Sequence, residues 1–133
     1  MKEQVISFET AKLAKEKGFN WWSHFSYREN NFLIEEDFNK NKPWNLFSED
    51  KYTIPYKNIS APMQSLLQKW LREKHNLIVE VEGINCYIDI SFIKYYNWNI
   101  LGNQYKESDN EYNTWEEALE QGLKEALKLI KGE

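Results

Sequence analysis

Between Ser60 and Val81 the apolar positions change from a helical to an extended period, and the rest of the chain is organised around that change. Met63, Leu66, Leu67, Trp70 and Leu71 follow the i, i+3, i+4, i+7, i+8 spacing of one buried helical stripe, while Gln64, Gln68, Lys69, Arg72 and Glu73 fall on the other side. Pro62 suits the first helical position because its missing N–H is one a helix start cannot use; Ser60 or Ala61 then stands at the cap, and only Ser60 caps well. Asn76 can take the left-handed conformation that ends a helix. Period two begins there, with Leu77, Val79 and Val81 on one side and Ile78, Glu80 and Glu82 on the other.

Before this unit, Ser7 caps a helix with Glu9 and Thr10 in its first turn, and Gly18 followed by Phe19 closes it. Trp21, Ser23, Phe25 and Tyr27 then alternate with Trp22, His24, Ser26 and Arg28; after the turn-like Glu29-Asn30-Asn31, Phe32-Leu33-Ile34 completes a β-hairpin. His24 lies on its more polar side, the place of a solvated or hydrogen-bonded histidine. A short strand is expected near Lys51-Tyr52-Thr53-Ile54, at an edge because Pro55 follows. Beyond the central unit, Gly83-Ile84-Asn85 reads as a turn, Cys86 to Tyr96 as the longest strand, and Lys106 to Glu111 as a loop. Thr114 and Glu117 form a capping box for a last helix whose stripe is Trp115, Leu119, Leu123, Ala126, Leu127 and Ile130. The order α-β-β-(β)-α-β-β-α predicts an α+β fold, an antiparallel sheet of about four to five strands with three helices packed mainly on one face. A single domain over 1–133 is expected, with 38–59 as a loop-rich insertion.

Composition narrows the chemistry. A net charge of −4 argues against a nonspecific grip on nucleic acid, which draws on Lys and Arg neutralising phosphates. Cys86 is the one cysteine, so no intrachain disulfide forms, and His24 and His75 have no companion Cys pattern for zinc. The first residues lack a signal-peptide core and no run has the apolar length of a membrane span, so a cytoplasmic protein is expected. No Gly-rich phosphate loop, His-Glu-x-x-His or Gly-x-Ser-x-Gly occurs. Glu80, Glu82 and Asp89 would form an acid–base or metal cluster if they converged; the plain alternative is a solvated sheet face. Lys69, Arg72, Lys74 and His75 make the central helix end basic, as its dipole alone would favour. Glu35-Glu36-Asp37 and Glu107, Asp109 and Glu111 are acidic clusters that would imitate a phosphate track, or are simply solvated. Aromatics make up 16% of the chain, and Trp21, Trp22, Trp44, Phe47, Tyr95, Tyr96 and Trp98 exceed what one small core needs, so some are candidate interface anchors.

Three blocks, Ser7 to Phe19, Ala61 to Glu73 and Trp115 to Leu123, resemble a small protein family of phages and prophages of Bacteroidetes. They coincide with the helices, so the resemblance carries fold and origin but no site. Residues 20–58 and 84–112 depart from the blocks, and the individual function is expected there. Small acidic phage proteins often inhibit host defence, so the resemblance implies an anti-CRISPR protein similar to the inhibitor of type VI-B RNA-guided nucleases. It would be a non-enzymatic binder without cofactor or metal in the bacterial cytoplasm, blocking a host nuclease with a basic channel or its guide-RNA loading. Nucleic acid would be engaged only through that partner, and no membrane or small-molecule substrate is implied. Trp44 and Phe47 would be anchors, and Glu35, Glu36 and Asp37 would meet the basic channel. The alternatives are a phage accessory or structural interaction module with no role in defence, and a small enzyme using the carboxylates of the sheet.

Overall fold

A computed structural model describes residues 4–21, 23, 25–27, 33–35, 59–88, 91–102, 104–108 and 110–130. The fold is α+β, with three helices and six short or medium strands in two antiparallel sheets among the described residues. The chain divides into two compact units, Met1–Leu67 with Lys131–Glu133, and Gln68–Ile130. Antiparallel pairing holds as expected, and among the described residues the strands fall in two sheets where one was expected.

In the first unit, α1 (Phe8–Glu16) starts where Ser7 accepts the Thr10 N–H, 3.2 Å away. Its end is a Schellman turn: Gly18, at φ 97°, donates to the Lys15 carbonyl and Phe19 to the Ala14 carbonyl. Phe19 is fully buried beyond it. Strand β1 (Phe25–Tyr27) lies between β2 (Leu33–Glu35) and β3 (Ile59–Ser60), with Ser26 opposite both Ile34 and Ser60. The expected hairpin is present, but Ser26, read as part of a polar side, is fully buried at the centre of the sheet. Tyr27 donates its hydroxyl to the Ile6 carbonyl at 2.7 Å and packs edge-on against Phe8. His24 and the strand expected near 51–54 lie outside the described residues.

Helix α2 (Gln64–His75) begins two residues after Pro62, later than expected. Val5 forms a β-bridge with Met63, in which Ile6 donates to the Pro62 carbonyl and Gln64 to the Gln4 carbonyl. That pairing holds the backbone extended where a cap was expected, and Gln64, which the helical period puts opposite the apolar stripe, is buried.

In the second unit, Asn76 at φ 54° ends α2 as expected, and the chain turns directly into β4 (Ile78–Ile88). This strand runs straight through Gly83-Ile84-Asn85, where a turn was expected, and pairs with β5 (Ser91–Leu101) from Ile78↔Leu101 to Ile88↔Ser91 without a bulge. The 86–96 strand is thus two strand segments; an unbroken alternation of apolar residues does not reveal where the chain reverses. Lys106–Glu107, expected in a loop, forms β6 against Asn99 and Ile100, giving the order β4-β5-β6.

Helix α3 (Trp115–Leu129) has Thr114 as its cap, accepting the Glu117 N–H at 3.1 Å. It packs on the face of the sheet that carries Val79, Trp98 and Ile100, burying Leu119, Leu123 and Leu127. Burial of each such side chain is worth about 1.5–3 kcal/mol. Gly122 permits the close approach, since a Cβ there would lie 2.9 Å from Val79 Cγ1 and 3.0 Å from Trp98 Cβ. Lys106 faces this helix and pairs with Glu125 at 2.8 Å.

Candidate interaction surface

Residues two apart on a strand share a face, and directly paired residues share it across strands. With Val79, Trp98 and Ile100 turned to α3, the opposite face carries Glu80, Glu82, Asn97 and Asn99. Glu107 on β6 pairs with Asn99, which in turn pairs with Glu80, so the three form one row across the sheet. At a strand spacing of about 4.8 Å, the backbones of Glu80 and Glu107 are about 10 Å apart. Glu82 and Asn97 form the next row on the same face, about 7 Å along the strands.

Tyr105 closes this ridge. The residue is 60% exposed, and its hydroxyl lies 3.2 Å from both Asn99 Oδ1 and Glu107 Oε2. Desolvation, the hydrogen bond to Glu107 and the negative fields of Glu107, Glu82 and Glu80 push its phenol above the ordinary range. The phenol therefore senses all three carboxylates at once. Among the described residues, none of the three carboxylates forms an ion pair, and the Asn97 Oδ1 is buried without a donor. The three carboxylates are acceptors only, and no cationic side chain pairs with them among the described residues.

Of the residues expected to meet a partner, Glu35 is placed as a backbone position at the end of β2, opposite Phe25. Glu36, Asp37, Trp44 and Phe47 lie outside the described residues, as does Asp89. Glu80 and Glu82 do share a face, and no group of three metal-ligating side chains occurs among the described residues. Arg72, Lys74 and His75 stand in the last turn of α2. The His75 ring lies edge-on to Trp70 with centroids 4.6 Å apart, and burial holds its pKa below the usual histidine value.

Of the aromatics read as candidate anchors, Trp98 is buried against α3, and Tyr95 and Tyr96 are half-buried. Trp115, read as part of the buried stripe, is 43% exposed and meets Tyr96 edge-on. Tyr105 was missed, and Glu107, read as part of an acidic cluster with Asp109 and Glu111, was not joined to Glu80 and Glu82, because β6 is only two residues long and exists through its pairing with β5. The Tyr105-x-Glu107 spacing, which places a phenol beside a carboxylate, was the one local signal. No helix among the described residues is long and apolar enough to cross a membrane. Comparison with protein-family models, curated proteins and solved structures finds no match to this chain.

Proposed function

We propose that the protein is a non-enzymatic binder whose acidic sheet face docks on a basic surface of a partner protein. The observation that supports this most is the ridge of Glu80, Glu82 and Glu107 under Tyr105, all acceptors with no ion pair among the described residues. An aromatic beside clustered carboxylates is suited to lysine- and arginine-rich partners, since it adds a cation–π face to the charges. The resemblance of the three helical blocks to phage and prophage proteins makes a host defence nuclease the partner class to test first, specifically a type VI-B RNA-guided effector or its loading with guide RNA. Trp44 and Phe47 are the proposed second contact, with Glu35, Glu36 and Asp37 beside them.

The test is RNA cleavage by a purified type VI-B effector, with the protein added before or after guide RNA. Inhibition is expected, and the triple variant Glu80→Lys, Glu82→Lys, Glu107→Lys should weaken it about tenfold or more at low salt. Inhibition that ignores the charge reversal would remove the acidic face from the account. Absence of inhibition, together with capture of only phage proteins or of the protein itself from a Bacteroidetes lysate, would favour the accessory-module reading.

A further inference from the structure

Among the described residues, strand β4 stands at an edge of its sheet, and Gly83 and Asn85 along it are exposed. The Val79 carbonyl points away from β5, because Gln68 Nε2 donates to it at 2.6 Å. Backbone groups alternate in direction along an antiparallel strand, so those of Val81, Gly83 and Asn85 point the same way. None of these three has a backbone partner on that side among the described residues. Gly83 is exposed, and since it has no side chain, this is exposure of the backbone itself. Natural edges are blunted by bulges, Pro or charged side chains; β4 pairs without a bulge and has no Pro, and its charges are Glu80 and Glu82, which oppose an acidic neighbour and admit a cationic one.

We infer that β4 receives an extended segment of the partner by strand addition, with Lys or Arg at alternate positions. The inference deepens the proposed function and rests on it for the identity of the partner. An added strand continues both faces of the sheet, so its side chains alternate between the row of Glu80 and Glu82 and the row of Val79 and Val81. Cations match the first row and β-branched apolar residues the second. Hydrogen bonds to the Val81, Gly83 and Asn85 backbones hold the segment, and the two glutamates set its register. A second copy of this chain fits poorly: antiparallel β4 edges would bring four glutamates onto one face, where like charges oppose pairing.

The test uses the full chain and three seven-residue probe peptides: alternating lysine and valine, the same composition with lysines and valines in separate blocks, and the alternating peptide N-methylated along one edge. Amide NMR should show shifts and slowed exchange at Val81, Gly83 and Asn85 with the alternating peptide alone. Removing the edge hydrogen bonds by N-methylation should weaken binding about tenfold or more. Equal binding of all three peptides would overturn strand addition while leaving charge-driven docking intact. Binding of none would also overturn it, and the cleavage assay with the charge-reversed variant then decides the broader reading separately. Self-association in place of peptide binding would assign the edge to a second copy and refute the inference.

Discussion

Gly122→Ala measures how closely α3 lies on its sheet. In an exposed helix interior this change stabilises by about 1 kcal/mol, through the better helix propensity of Ala. Here the added Cβ would stand 2.9 Å from Val79 Cγ1, 3.0 Å from Trp98 Cβ and 3.2 Å from Trp98 Cγ. Two of those atoms adjoin the backbone or the ring root, and Val79 is only 1% exposed, so none yields without moving the sheet or the helix. Overpacking of this kind costs about 1–3 kcal/mol, which leaves a net destabilisation of about 1 kcal/mol after the propensity gain. Urea unfolding followed by tryptophan fluorescence and by far-ultraviolet circular dichroism reads the change, with coincident transitions required before a single free energy is assigned. Val79→Ala removes the nearer obstacle, so the double variant should be more stable than the sum of the single effects by about 0.5–1 kcal/mol. A stabilised Gly122→Ala protein, or strict additivity in the double variant, would refute the close-approach argument.

Three further outcomes follow from the geometry. Spectrophotometric titration should find the Tyr105 phenol ionising above its usual 10.0, with Glu107→Gln moving it back toward that value; an unchanged titration would dissolve the ridge as one electrostatic unit. Because the raised pKa favours the protonated phenol in the folded state, the stability it contributes is present below the unfolded value and is lost as pH rises through the folded one. His75 should titrate below 6.5 by proton NMR, so its contribution is full above that pH and is lost as pH falls; His75→Gln should remove that component, and a normal or raised value would contradict its placement against Trp70. Asn76→Ala should cost about 1 kcal/mol because a Cβ without a local polar partner strains the left-handed backbone, whereas Asn76→Gly should be close to neutral; equal losses in thermal unfolding would show that the conformation is not the cause.

Sequence alone determined what depends on a few neighbouring residues. Ser7 with Thr10, Gly18 with Phe19, Asn76, and Thr114 with Glu117 mark helix ends, because capping groups and the carbonyls or amides they serve lie within one or two turns of each other. Alternation from Leu77 onward likewise assigned Glu80 and Glu82 to one open face, since side-chain direction in a strand follows from parity. Tertiary structure decided what depends on a distant partner. Gln4 to Ile6 pairs with Pro62 to Gln64 and delays α2, Tyr96 pairs with Gly83 and carries β4 through an expected turn, and Asn99 and Ile100 turn Lys106–Glu107 into a strand. Ser26 lies in the central strand because β1 has a neighbour on each side, and Trp115 is exposed because α3 turns its other residues to the sheet. A hydrogen-bond ladder satisfies backbone groups whatever side chains they carry, so local propensity does not state which segments meet. The acidic face is divided accordingly: Glu80 and Glu82 are local pattern, while Glu107 and Tyr105 join them only through the pairing of β5 with β6.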